Sequence, residues 1–483
     1  MMKWILSNMR RYLYTYMAYL MLLMFGMSAC TSDGDAPDSG GSASKTYTVH
    51  FSLSPASNGS GSRASASQTW ESGSDGENMK SWVVAFVGSD GKIAAIAENQ
   101  QVASGNSIKD DVTIDALAAG TYTVYSFANI SAAELGLTKG TAANLDDKLW
   151  AVNGNDYDVD THGIPMSNKQ TVTISDDGTA NVTDLWVVRM LSKITLKFKN
   201  ISSSNITVNS ISISDITNNP ATDATNVKLL PANLALSAEA IQSPHLADNT
   251  PSSEFTHTIN GGLTIANTVT DYDTDDQGAN SVSFYVNESK AGSAYPYFVV
   301  TLNTNVGTQR YFMYTDWSQI ARNDHHVLKM ALSDYQLRLN IEGYSAIGML
   351  PSLEDDGKQL NIAFHMPDEE FHIVPMVTKY SNPGTPVSFT NLKWEKIAES
   401  ETDAEQRAFS SKPALVTGEN RIEATLLGEL GKKIGPIIYQ LSVDVADGSN
   451  TITLVYRIAI TQDITWYTTS ARKMYKINTK YKL

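Results

Sequence analysis

The chain reads as an all-β protein of tandem antiparallel β-sandwiches with few short helices, and three observations carry that reading. Apolar residues recur mostly at every second position, the alternating stretches are rich in β-branched and aromatic residues, and Asp-Gly pairs punctuate them. Such alternation marks strands with one buried face, and Asp-Gly supplies the positive-φ residues that a hairpin turn needs. Sandwiches are the economical way to bury many half-apolar strands.

In chain order, Tyr47, Val49, Phe51 and Leu53 alternate with Thr48, His50 and Ser52 and predict a strand over Thr46–Ser54. Trp82–Val87 is a second strand, turning at Ser89-Asp90-Gly91. Ala132–Leu137 and Ala142–Val152 predict short helices in a connection. After the turn at Asp176-Asp177-Gly178, Ile194, Leu196 and Phe198 alternate with Thr195 and Lys197. Tyr439, Leu441, Val443 and Val445 form one arm of a late hairpin, and Ile452, Leu454, Tyr456, Ile458 and Ile460 form the other, across Asp447-Gly448. The length of 483 residues suits about three domains. A fresh strand begins after 188, and near 338 strand-like text gives way to an acidic connection with Glu354, Asp355 and Asp356. The expected domains are therefore 46–188, 189–338 and 339–483, each a sandwich of the transthyretin/Ig-like kind.

The N-terminus has a different character. Lys3, Arg10 and Arg11 precede an apolar run from Met17 to Met27, followed by Ser28-Ala29-Cys30, which holds the only cysteine of the chain. A charged region, a short apolar region and small residues before a cysteine resemble a lipoprotein signal peptide (1–29) with its lipobox. The run is shorter than the roughly 20 residues of a bilayer span. Cys30 is thus the expected acylation site, which attaches the chain to a membrane without spanning it. Residues 30–45 are rich in Gly, Ser, Asp and Ala and predict a flexible tether. Removing 1–29 takes away three positive charges and no negative one, moving the formal charge from −15 to −18. That acidity argues against a nucleic-acid partner. With one cysteine, an intramolecular disulfide is excluded.

Signs of catalysis are sparse. HExxH, GxSxG, the P-loop and nucleotide-binding glycine patterns do not occur, so no enzyme activity and no cofactor are expected. Asp324 with His325-His326 invites a metal or base reading, but adjacent strand residues point to opposite faces, which favours surface histidines. Asp368-Glu369-Glu370 with His372 reads as a solvated turn. Asp271, Asp273 and Asp275 resemble the start of a calcium loop, yet Asp276 stands where its Gly belongs and Val282 where its closing Glu belongs. An acidic loop tip is the alternative, and no metal is expected.

Five runs in the chain resemble the fimbrillin family, the subunits of type V pili. Ala119-Gly120-Thr121-Tyr122 with Ala128-Asn129 is similar to the family's "aGtY…aN" strand pair, and Ile164-Pro165-Met166-Ser167 to its "iPMs" segment. Val188-Arg189-Met190-Leu191-Ser192-Lys193-Ile194 resembles its "R-x-x-AK" strand, with Ser192 where Ala is usual. Phe284-Tyr285-Val286-Asn287-Glu288 resembles "FYvyEN", and Ile320-Ala321-Arg322-Asn323 resembles "I-x-RN". The resemblance covers about residues 46–335. Asp33 and Asp35 resemble the surface-export signal of such lipoproteins.

The resemblance implies a non-catalytic pilus subunit that reaches the outer membrane surface as a lipoprotein. It implies a trypsin-like, Arg- or Lys-specific protease that removes the N-terminal strand, and a neighbouring subunit that fills the groove by β-augmentation. The strand to be shed would be that of Tyr47, Val49, Phe51 and Leu53. Arg63, in the Ser/Gly/Asn-rich stretch Pro55–Gln68, is the candidate processing site or else a solvated loop residue. Cutting at Lys45 would instead release the lipid and leave the groove closed. Tyr475, Ile477, Tyr481 and Leu483 alternate with polar residues and form either a donor strand or the last strand of the third domain. That extra domain favours an accessory or tip subunit acting in surface adhesion; a lipid-retaining anchor and a carbohydrate-binding surface lipoprotein are the alternatives. Glycan or protein ligands would meet solvent-facing rings, for which Trp317, Trp394, Trp466 and Tyr467 are the candidates, burial in a core being the competing role.

Overall fold

The alternating segments pair as strands in the computed structural model, which describes residues 45–56, 77–103, 109–150, 159–217, 227–237, 253–291, 297–313, 315, 319–342, 351–355, 359–367 and 370–465. The fold is all-β with several sheets. Among the described residues no helix is long and apolar enough to cross a membrane.

The first strands are β1 (Thr46–Pro55), β2 (Trp82–Val87), β3 (Ile93–Asn99), β4 (Asp110–Ala118), β5 (Gly120–Ala128), β6 (Leu149–Trp150), β7 (Met166–Ile174) and β8 (Asp184–Arg189). All but β6 join one sheet in the order β3-β2-β5-β7-β8-β1-β4. The sheet curls over its own core, so that Val49 and Leu53 of β1 meet Val84 and Phe86 of β2, Val112 of β4 and Leu185 of β8.

The chain continues through β9 (Leu191–Asn200), β10 (Ile206–Ile216), β11 (Val227–Lys228), β12 (Ser253–Ile265), β13 (Ser281–Asn287), β14 (Ser289–Lys290), β15 (Phe298–Thr304), β16 (Gly307–Met313), β17 (Gln319–Ile320) and β18 (His325–Leu332). The sheets β12-β10-β15-β16 and β13-β9-β18 enclose a second core that includes Phe198, Ile211, Phe255, Phe284 and Phe298. Within it β18 runs parallel to β9, while most other pairs are antiparallel.

The last strands are β19 (Tyr335–Glu342), β20 (Ser352–Asp355), β21 (Gln359–Phe364), β22 (Glu370–Lys379), β23 (Pro386–Val387), β24 (Thr390–Glu399), β25 (Phe409–Leu415), β26 (Ile422–Leu426), β27 (Lys433–Asp447) and β28 (Asn450–Asp463). Two five-stranded sheets, β19-β22-β26-β25 with β23 paired to β22, and β20-β21-β28-β27-β24, close on a third core. The predicted Asp447-Gly448 turn joins β27 to β28, with Asp447 opposite Asn450 and Gly448 at φ 63°.

One predicted helix does not form. Ala132–Leu135 is helical, capped by Ser131 and Glu134 in a reciprocal pair. The 142–150 segment is irregular and ends in β6. Its backbone bonds go elsewhere: Ala143 N donates to Gly91 O, Ala142 bridges Lys92, and Leu145 is buried against Phe127 and Leu135. Tertiary pairing thus overrides a helix-compatible sequence. Residues 151 and 152 of that segment lie outside the described residues.

Candidate functional site

The strand flagged by alternation lies inside its sheet, between β8 and β4. Ser52–Pro55 pairs in parallel with Asp184–Val187, while Tyr47 and Val49–Leu53 pair antiparallel with Leu117 and Asp110–Ile114. Val49, Phe51 and Leu53 are buried, and the Phe51 ring lies 5.5 Å from that of Phe86. Tyr47 is half-buried and donates through its hydroxyl to Asp176 O. The outward residues are tied to β4: the Thr48 hydroxyl donates to Asp115 at 2.8 Å, and His50 Nδ1 meets Thr113 Oγ1 at 3.1 Å. Burying one Val, one Phe and one Leu contributes roughly 5–9 kcal/mol.

Among the described strands β4 pairs with β1 alone. Taking β1 away would therefore expose the facing edges of both β8 and β4, together with the apolar floor between them. A slot of this kind is costly to leave open and is matched by a strand carrying apolar side chains at every second position.

The strand runs one residue further than its alternation indicates, to Pro55, and Ala56 is fully buried. This corrects the exposed character read for Pro55–Gln68 at its first two positions. Ala56 N donates to Val187 O, continuing the pairing with β8, and its methyl packs against Val188, Ala235 and Trp186. Arg63 lies outside the described residues, as do Tyr475, Ile477, Tyr481 and Leu483 and also Cys30.

Beside the slot, the five motif runs meet one another. Asn129, at φ 57°, accepts from Lys80 N at 2.7 Å and donates to Asn78 O and to Ile164 O, joining the "aN" and "iPMs" runs. Arg322 is fully buried and pairs through Nε and Nη2 with both oxygens of Glu288, at 3.0 and 2.7 Å, joining the "I-x-RN" and "FYvyEN" runs. Its remaining reach goes to Leu229 O and Lys228 O. Arg189 donates to Asn323 Oδ1 and to Glu77 O, and burial pulls its guanidinium down to about 10 while Glu77 and Tyr285 hold it up. Lys193 Nζ lies 2.7 Å from Glu77 Oε1, which also accepts from the Tyr285 hydroxyl at 2.6 Å. Buried charges survive only with such partners. Glu77 was invisible in sequence, since it stands in a Ser/Gly/Asp-rich stretch that reads as solvated.

The catalytic and metal candidates are hydrogen-bonded or ion-paired within the fold. His325 and His326 are buried, not on the surface: both pair with β9, and Asp276 of the 271–280 loop stands against His325. His325 Nε2 meets Thr195 Oγ1 at 2.9 Å and lies 3.5 Å from Asp276. Asp276 also takes Lys197 at 2.8 Å. Asp273 accepts from Asn280 N, Asn280 Nδ2 and Ser281 Oγ. Burial raises its pKa most, but those hydrogen bonds and Lys197 outweigh it and hold it below the ordinary value. Asp271 accepts from the Thr270 hydroxyl, and Asp275 from Gln277 N, so the loop staples itself.

Among the described residues, the acidic and histidine side chains that converge are Glu370, His372 and Glu423. Glu370 opens β22, where the sequence suggested a turn. Arg421 Nη2 lies 3.5 Å from Glu423, so a positive charge already sits at that surface. Trp394 is half-buried and stacked on Tyr439 at 4.7 Å, which makes it part of the third core's edge. Trp317, Trp466 and Tyr467 lie outside the described residues.

No protein-family model matches this chain, and no curated protein matches it. It is similar to three solved fimbrial proteins, among others. The tip fimbrial protein Mfa3 from Porphyromonas gingivalis, truncated at its C-terminus, is 13% identical; the alignment covers 59% of this chain and 94% of that one, with a TM-score of 0.37. A fimbrial assembly protein from Parabacteroides distasonis is 12% identical over 60% of this chain and 93% of its own, with a TM-score of 0.34. The fimbrial anchor protein Mfa2 from Porphyromonas gingivalis is 10% identical over 62% of this chain and 92% of its own, with a TM-score of 0.24. These three solved structures are of fimbrial proteins, and others to which the chain is similar are named as putative cell adhesion proteins.

Proposed function

We propose that this chain is a non-catalytic structural subunit of a type V pilus, acylated at Cys30, carried to the cell surface on the outer membrane and made competent for assembly by loss of β1. The observation that carries this reading is the position of β1. It lies between β8 and β4, supplies a row of buried apolar residues, and precedes the stretch that contains Arg63. Cleavage after Arg63 by an Arg- or Lys-specific protease would free β1, and a strand from a neighbouring subunit would take its place. The third set of sheets, β19 to β28, goes beyond the motif-bearing span and favours an accessory or tip position. The alternating C-terminal residues Tyr475, Ile477, Tyr481 and Leu483 would serve as donor toward a neighbour. The domain limits 46–188, 189–338 and 339–483 belong to the same proposal.

The test is Arg63→Ala in the native cells. Lipidated precursor should accumulate and pilus incorporation should stop; normal assembly of that variant would overturn the reading.

A further inference from the structure

Beyond the end of β1, one contact ties the slot to the second set of sheets. Asn323 Nδ2 donates to Ala56 O at 3.2 Å in a buried setting. The orientation of this amide is set by Arg189, which can only donate and faces Asn323 Oδ1 at 3.4 Å. Asn323 is itself placed by its backbone, whose N–H donates to Leu191 O, and by a φ of 63° that few residues other than Asn adopt. Around the Ala56 methyl stand Val188, Ala235 and Trp186. Ala235 is in turn held by Asn168, which exchanges two hydrogen bonds with its backbone at 2.7 and 2.9 Å. The Ala56 methyl is fully buried among these side chains, which leaves the pocket sized for a methyl group. A carbonyl left there without a partner, or a larger side chain forced in, is penalised.

We infer that Asn323 and this methyl-sized pocket set the register and restrict the identity of any strand that occupies the place of β1. The occupant must present a backbone carbonyl to Asn323, and a residue no larger than alanine, three positions after its last buried apolar side chain. This rests on the strand-exchange reading above and adds a selection rule to it. The rule bears on the chain's own C-terminal segment. Setting Tyr475 at the place of Val49 brings Lys482 to that of Ala56, and setting Tyr475 at the place of Phe51 brings Lys480 there. A lysine where Ala56 has no solvent exposure is penalised, so the C-terminal segment does not fit this slot in either register.

The full chain carrying a single site for a sequence-specific protease between Asn58 and Arg63 is cut. Displacement of its 46–58 segment by a fluorescent synthetic peptide of the same sequence is then followed. The native peptide should exchange in. A peptide with Ala56→Phe should bind at least about tenfold more weakly, and one with Ala56→Gly about as well as the native one. The Asn323→Asp variant keeps an oxygen toward Arg189 but loses the donor, and should weaken the native peptide by about tenfold. A peptide of residues 470–483 should not compete at concentrations where 46–58 does. Equal binding of the Ala56→Phe peptide, an unchanged affinity in Asn323→Asp, or competition by 470–483 overturns the rule alone. Failure of every peptide to enter the slot overturns strand exchange itself, and the rule with it.

Discussion

Phe51→Ala probes β1 directly. The ring is 3% exposed and packs on Phe86 at 5.5 Å, in a core that also holds Leu53, Val84, Val112 and Leu185. Truncating a buried phenylalanine costs about 3–5 kcal/mol through lost transfer energy and the cavity left behind. Because β4 pairs with β1 alone among the described strands, the loss should concentrate in the opening of β1 with β4. The assay is amide hydrogen exchange read by mass spectrometry on peptides spanning β1, β4 and β8. Exchange there should accelerate by roughly two to three and a half orders of magnitude, while peptides from β27 and β28 stay unchanged. His50→Ala, on the exposed face of the same strand, is the control and should stay within about 0.5 kcal/mol. In subunits already assembled into a fibre, Phe51→Ala should have no effect, because the strand that carries it has gone. Acceleration no greater than that of His50→Ala would refute the packing account. Equal acceleration in the fibre would refute the shedding of β1.

Three further outcomes follow from the contacts around the slot and beyond it. Asn129→Ala removes the hydrogen bonds to Lys80 N, Asn78 O and Ile164 O from a positive-φ position; it should cost at least about 2 kcal/mol, measured as a lowered denaturant midpoint. Glu288→Gln leaves the fully buried Arg322 guanidinium without its counter-charge and should cost about 3–5 kcal/mol, read as earlier thermal unfolding. Asp447 accepts from the hydroxyl and the backbone N–H of Ser203 and from the Tyr335 hydroxyl. Burial raises its pKa most, but these bonds outweigh it and hold the group below its ordinary 3.8. A depressed carboxylate stabilises the fold fully above its unfolded pKa and loses that contribution as pH falls through the folded one. Asp447→Asn should therefore lower stability near neutral pH by about 1.5–3 kcal/mol and flatten the acid dependence below about pH 4, followed by pH-dependent thermal scanning.

Strands were legible because their cause is local. A period of two in Tyr47–Leu53 or Tyr439–Val445 needs no partner to be seen, and Asp447-Gly448 announces its turn through backbone chemistry alone. The 142–150 segment misled because its carbonyls and amides are committed to Gly91 and Lys92, residues far enough away in sequence to leave no local trace. Burial of His325 and His326 was missed for a similar reason: adjacent polar residues at the start of a strand look exposed until β9 is paired beside them and the 271–280 loop reaches His325. The motif runs were visible one by one, but not that they are partners. Arg322 and Glu288 are 34 residues apart and Lys193 and Glu77 are 116 apart, and only the assembled sheets bring them within hydrogen-bond reach. Ala56 was hidden by composition, standing at the head of a Ser/Gly-rich stretch while belonging to the core.

The most direct measurement of the central claim is the mature N-terminus of this protein within the fibre, determined by peptide mass spectrometry from native cells. Removal of β1 predicts a chain that starts at Ala64, with the 46–63 residues absent from assembled subunits. An acylated Cys30 as the sole start in assembled protein would contradict it, leaving β1 in its slot and the chain an anchor or a plain surface lipoprotein.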